Sequence, residues 1–148
     1  MIADLIKEIE HYEKLGFGHD IESMCKQALN IDPSNKKVLD KLTFHYFQKK
    51  EYDKSINLLD SYSHIFDSRT YLTNKALCLW HLENFKDALD LLNQLEIYYQ
   101  SNSLSDWDFY FNRGIIHWSL NQYELAKKDF SLANELNPES FEPLQKLA

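Results

Sequence analysis

Six histidines and two cysteines are the side chains of this 148-residue chain best suited to hold a metal or act as nucleophiles. Their spacing speaks against both. His11, His19, His45, His64, His81 and His117 form no H-E-x-x-H pair, in which two imidazoles one helical turn apart share a zinc ion. His11 and His19 would stand two turns apart, but Gly16 and Gly18 break any helix that could align them. Cys25 and Cys78 belong to no C-x-x-C pair, which removes the usual frame for thiol redox cycling or a thiolate metal site. Gly16-Phe17-Gly18 lacks the rest of a phosphate-cradling loop, and no strand-like run precedes it. No serine, histidine and aspartate can be grouped by spacing into a hydrolytic set. The chain reads as a non-enzyme, with no cofactor and no metal.

Composition narrows the partners. A net charge of -7 disfavours a nucleic-acid backbone, which calls for a basic stripe. Acid prevails over residues 1–34, whereas Lys36, Lys37, Lys41, Lys49, Lys50 and Lys54 crowd the next stretch. Solvated helix faces account for this better than a cationic partner at the N-terminal end. No apolar run is long enough to span a membrane, and Met1-Ile2-Ala3-Asp4-Leu5 is charged too early for a signal peptide or anchor. Cys25 and Cys78 lie in apolar helical settings and read as buried thiols of a reducing compartment, so the cytoplasm is expected. With only three Gly and three Pro, long helices are expected rather than a turn-rich sheet. A chain of this length buries roughly 70% of its unfolded surface and needs no metal or disulfide staple.

The elements that position these side chains are helical pairs. From Asp108 to Pro138 the order is Tyr110, Gly114, His117 and Trp118, then Tyr123, Ala126, Phe130, Ala133 and Pro138. Two helices around a tight turn at Asn121-Gln122 explain it. Gly114, Ala126 and Ala133 are small where the helices must touch. Tyr110, Tyr123 and Phe130 are large and fill the gaps. Pro138 stops the second helix. This stretch resembles the tetratricopeptide repeat, a helix–turn–helix unit of about 34 residues with the pattern W-x2-L-G-x2-Y, A-x3-F and P. Tyr110 stands for the Trp, Gly114 for the Gly, His117 for the Tyr, Ala126 and Phe130 for the A-x3-F pair, and Pro138 for the Pro. Arg113 replaces the Leu, and His117 is read as core.

The same register covers nearly the whole chain. It predicts one all-α domain over 1–148, an α-α superhelix of antiparallel pairs, with repeats at about 2–34, 35–68, 69–101 and 107–139. A short C-terminal helix is expected at 141–148, capped by Ser140 and with Leu144 and Leu147 as its apolar face. The first repeat turns at Gly16-Phe17-Gly18 and ends in Ala28-Leu29-Asn30-Ile31-Asp32-Pro33, close to the usual ending of the family. The second is degenerate: Thr43 replaces the Gly, Ser55 the Ala and Asp67 the Pro. The third turns at Asn84, a residue that tolerates a left-handed backbone, and with no Pro to end it the second helix can continue through Tyr98 and Tyr99. Ser101 to Asp106 reads as a flexible loop. Tyr12 to Ala28, Tyr46 to Tyr62 and Leu79 to Leu95 have the same separation, which a random bundle would not show.

The resemblance implies a function. Stacked helix pairs leave a concave groove lined by the first helix of each pair, and in this family that groove typically holds an extended peptide or a helix of another protein. Turning Leu39, Leu42 and Tyr46 inward leaves two columns for the groove. Phe44, Leu77 and Ile115 form one; Phe47, Trp80 and Trp118 form the other. Phe111 joins them, and Asn74 and Asn112 are register equivalents placed to bond a peptide backbone. Packing between repeats would also account for any single aromatic, but exposed aromatic patches mark binding surfaces. Some family members clamp a chaperone's terminal carboxylate with basic and Asn side chains. Here Ile6 and Glu10 stand beside Lys37 and Lys41, which is wrong for an anion. The expected role is therefore an adaptor or chaperone-like module for an apolar segment of a partner protein. A structural subunit that self-associates into a homo-oligomer or joins a larger complex is the alternative, and an immunity or antitoxin protein a weaker one.

Overall fold

Four helix corners share one hydrogen-bond pattern, and the architecture follows from them. At each corner one residue adopts a left-handed backbone: Gly16 (φ 76°), Lys50 (φ 62°), Glu83 (φ 62°) and Asn121 (φ 61°). The next amide then reaches back to a carbonyl five residues earlier. Phe17 donates to Tyr12 at 3.1 Å, Glu51 to Tyr46 at 2.9 Å, Asn84 to Leu79 at 2.8 Å and Gln122 to His117 at 2.9 Å. This Schellman closure satisfies the last carbonyls of one helix while the chain reverses into the next. In the third pair the left-handed residue is Glu83, not Asn84, whose φ is -90°. The closure needs the left-handed turn immediately before the donating amide, so the corner lies one residue earlier than composition suggests.

The computed structural model describes residues 1–102 and 106–141. Among them are α1 (Ile2–Leu15), α2 (Gly18–Ile31), α3 (Lys36–Gln48), α4 (Tyr52–Ser61), α5 (Ser68–His81), α6 (Phe85–Ser101), α7 (Trp107–Ser119) and α8 (Tyr123–Leu136), then a 3₁₀ turn at Pro138–Phe141. No strand occurs among the described residues. Of the stretch read as a flexible loop, residues 103–105 lie outside the described residues; Ser101 closes α6, Asn102 is its C-cap and Asp106 is the N-cap of α7. Leu144 and Leu147 of the expected terminal helix also lie outside them, and Ser140 lies within the 3₁₀ turn.

The chain forms two compact units, Met1–Asp67 and Ser68–Ala148. The first holds α1 to α4 around Ile9, Ile21, Met24, Cys25, Ala28, Val38, Leu42 and Tyr46. Its α2 ends at Asp32-Pro33, and Asn35 opens α3 by accepting the Val38 amide at 3.1 Å, an N-cap bond. Thr43 and Ser55 are both buried. Thr43 Oγ1 donates to the Leu39 carbonyl at 2.7 Å and Ser55 Oγ to the Thr43 carbonyl at 3.2 Å. These two polar substitutes for Gly and Ala are thus satisfied inside the core. The helix α4 stops at Ser61, and Tyr62 is its C-cap rather than a helical position.

The second unit holds α5 to α8 around Ala76, Ala88, Leu92, Leu95, Tyr99, Phe109 and Ile116. At Gly114 the ring of Phe130 on α8 lies against the backbone of α7. A Cβ there would lie 2.7 Å from Cε1 of Phe130, so only glycine fits without displacing the ring. Ala126 and Ala133 are fully buried as the pattern requires. Tyr123 fills the gap between the helices only in part: it is half exposed, its hydroxyl donates to Asn121 Oδ1 at 2.8 Å, and its ring meets Trp118 of α7.

Candidate functional site

In the second unit polar links tie α5 to α7, Arg69 with Asp108 at 3.4 Å at one end and Trp80 with Ser119 at the other. Trp80 Nε1 on α5 donates to Ser119 Oγ on α7 at 2.9 Å, and Ser119 Oγ donates to the Ile115 carbonyl at 3.0 Å. The polar edge of the indole is thereby satisfied, which leaves its ring as apolar surface. Asn74, Leu77 and Trp80 on α5 are half-buried, as are Phe111, Asn112 and Ile115 on α7. Neither Asn74 nor Asn112 makes a side-chain hydrogen bond among the described residues. Trp118 is 59% exposed and meets Tyr123 edge-on, 4.7 Å between ring centres. Phe111 lies 5.9 Å from Phe130, so it belongs partly to the packing of α7 on α8.

The first-unit members of the two columns differ from each other. Phe44 on α3 is 58% exposed, whereas Phe47 is half-buried and packs edge-on against Tyr52 of α4 at 5.5 Å. Near them, the cations that a carboxylate clamp would need are already engaged. Lys37 Nζ lies 2.7 Å from Glu10, and Lys41 Nζ lies 2.8 Å from Glu13 and 3.9 Å from Glu10. The hydrogen bond from Lys37 holds the Glu10 carboxyl below its usual range. Glu10 and Glu13 of the first repeat are thus answered from within the chain.

One cluster escaped sequence reasoning. Arg113 is buried, with Nε and Nη2 donating to the two oxygens of Asp129 at 2.8 and 2.9 Å and Nη1 donating to Glu96 at 2.6 Å. Its guanidinium also stacks over Phe109 at 4.9 Å. Burial pulls its pKa down, but the hydrogen bonds to Asp129 and Glu96 outweigh that and raise it above the ordinary guanidinium value. His117 completes the group, with Nδ1 2.7 Å from Gln122 Oε1 and Nε2 3.6 Å from Asp129. The histidine is core, as its place in the repeat suggests. The signal was available: an arginine at a Leu position requires an acid on the facing helix.

No group of three or more His, Cys, Asp or Glu able to hold a metal occurs among the described residues. Nor is any helix among them long and apolar enough to cross a membrane.

Residues 108–140 match the family model of the tetratricopeptide repeat. RNA polymerase II-associated protein 3 of Homo sapiens is 26% identical over 151 residues, an alignment that takes in 99% of this chain and 21% of that protein. The chain therefore spans about a fifth of the length of this curated relative. Among solved structures, MamA AMB-1 superposes with a TM-score of 0.71 at 19% identity, covering 100% of this chain and 79% of the other. MamA MSR-1 gives 0.67 at 21% identity, covering 87% and 72%. The fold is theirs, all-α and of the superhelical class. The repeat match and the relative together mark a protein–protein interaction module.

Proposed function

Taking the chain as one built of tetratricopeptide repeats, we propose that it is a cytoplasmic adaptor or chaperone that holds an apolar peptide or helix of a partner protein. The binding face comprises Asn74, Leu77 and Trp80 of α5 with Phe111, Asn112, Ile115 and Trp118 of α7. Phe44 and Phe47 are their register counterparts on α3 and make the corresponding face of the first unit. The observation that carries this reading is Trp118, which leaves more than half of its large apolar surface in water. Such a side chain is costly to leave bare and characteristic of interface hot spots, each contributing about 2 kcal/mol or more. Asn74 and Asn112 offer a partner backbone the hydrogen bonds they do not make among the described residues. The buried thiols of Cys25 and Cys78 suit a reducing compartment. A human relative named for association with RNA polymerase II is in keeping with a protein partner.

Trp118→Ala tests the reading directly, because an exposed ring can be removed without a cavity. Capture from native lysate with the whole chain, read by mass spectrometry, is expected to yield a partner that the variant loses while its far-UV circular dichroism stays unchanged. A partner retained by the variant places binding on another surface. Recovery of the chain alone, with a mass that rises with concentration, favours the self-associating subunit instead. Trp80 suits this test less well, since its indole also joins α5 to α7.

A further inference from the structure

One side of α8 breaks a pattern that the other second helices keep. Ala126, Asp129 and Ala133 turn inward and are buried. On another side Leu125, Leu132 and Leu136 recur seven and four residues apart and form one apolar stripe. Leu125 and Leu136 are half exposed, and Leu132 is partly exposed. In the repeat register Leu125 takes the place of Asp20 in α2, Lys54 in α4 and Asp87 in α6. Leu132 takes the place of Gln27, Ser61 and Gln94. All six of those polar residues are exposed. Three helix pairs thus keep both positions polar and in water, so the fold itself does not call for leucine there. The two leucines add apolar surface of a kind that marks an interaction site.

The charges beside the stripe say what it fits. Lys128 and Glu135 flank it, both exposed, two helical turns or about 10 Å apart along the axis. Neither makes an ion pair among the described residues. A second copy of α8 laid antiparallel to the first, about a two-fold axis beside Ser131 and Leu132, matches every one of these groups. Lys128 of each copy then faces Glu135 of the other. In the same register Leu132 meets Leu132, and Leu125 lies near Leu136. A parallel copy would instead set lysine against lysine and glutamate against glutamate. The patch is therefore complementary to itself, as an isologous contact requires.

We propose that two copies of this chain pair through α8, antiparallel, with the leucine stripe at the centre and two reciprocal Lys128–Glu135 pairs beside it. The leucines supply the affinity, since burial of apolar surface is favourable wherever it occurs. The charge pairs, exposed at the rim, add little energy but select the antiparallel register. Tyr123, which meets Trp118, is two residues from Leu125 and so projects from nearly the opposite side of α8. The contact thus stands apart from the face proposed on α5 and α7, and the inference does not depend on that face.

The test is sedimentation equilibrium of the whole chain over roughly 1 μM to 1 mM, the span of weak association. The mass is expected to rise from that of one chain to that of two and to stop there. Lys128→Glu and Glu135→Lys each set like charges across the axis and are expected to weaken pairing by about ten-fold or more. Mixed together, the two single variants are expected to pair with each other, and the double exchange is expected to restore the dimer. Leu132→Gln, which copies Gln27 and Gln94, is expected to leave a monomer with an unchanged circular dichroism spectrum. Trp118→Ala is expected to pair like the unaltered chain. A single-chain mass at every concentration overturns the proposal, because something other than a second copy then covers the stripe. Pairing that ignores the charge variants or Leu132→Gln, pairing lost in Trp118→Ala, single variants that stay apart when mixed, or growth beyond two chains overturns it as well.

Discussion

Leu42 and Leu58 in the first unit occupy the same two register positions as Arg113 and Asp129 in the second. Leu42 is buried in the core of the first unit and Leu58 packs against that core. Arg113 and Asp129 are buried too, but they meet as a charge pair joined by two hydrogen bonds. One helix-pair geometry therefore accepts either hydrocarbon or a satisfied ion pair at the same place. The difference teaches where specificity lies. Two leucines tolerate small slips, whereas a two-pronged guanidinium–carboxylate contact fixes the rotation and offset of α7 against α8. Elsewhere the contrast reverses. The ion pairs of the first unit, such as Lys37 with Glu10, lie at the surface, where exchange with water leaves them little net effect.

The largest expected effect comes from breaking the buried pair on one side. Asp129→Leu leaves the guanidinium with Glu96 as its remaining carboxylate partner and is expected to destabilise the chain by about 3–5 kcal/mol in urea unfolding. Adding Arg113→Leu, which reproduces the pairing of the first unit, is expected to recover all but about 1 kcal/mol of that loss. A double variant as unstable as the single one would show that the pair is indispensable to this packing, not interchangeable with leucine.

Next in size is the close contact. Gly114→Val drives a branched side chain into Phe130 and is expected to cost about 2 kcal/mol. Its counterpart in the first unit, Thr43→Ala, removes only a hydroxyl bonded within its own helix and is expected to cost about 1 kcal/mol or less. Equal losses would mean that the two pairs are equally close and that Thr43 needs another explanation. Smallest is the corner. Glu83→Gly relieves a left-handed backbone at an exposed residue and is expected to stabilise by roughly 0.5–1 kcal/mol, a gain reduced by the looser unfolded chain. Asn121→Gly is expected to gain less, because asparagine already tolerates that conformation.

Much of the architecture was legible because it is written in size. Gly114 opposite Phe130, and Ala126 and Ala133 at full burial, could be read from small and large residues alternating at helical spacing. The corner at Glu83 was less legible, because glutamate carries no signature of a left-handed backbone and the neighbouring Asn84 does. The pairing of Arg113 with Asp129 was invisible to a reading along one helix at a time; it requires knowing which face of α8 meets α7. The aromatic columns were found as residues but not as environments. Trp80 and Trp118 are equivalent by spacing, yet one is hydrogen-bonded and half-buried while the other stands in solvent. His45 gave no sign in the sequence that its buried Nε2 would lack a partner among the described residues, which depends on what the packed neighbours fail to supply.

Cys25 and Cys78 have a practical consequence. Each unit holds one of them, and both are fully shielded from solvent. Burial raises the Cys25 thiol to about 11, which further slows its reaction. A thiol reagent can therefore reach either sulfur only while the helices around it are parted, so the chain carries two native stopwatches, one for each half. Labelling at a single shared rate would mean the halves open as one event, whereas two separate rates would time each opening by itself, without a dye or an engineered probe.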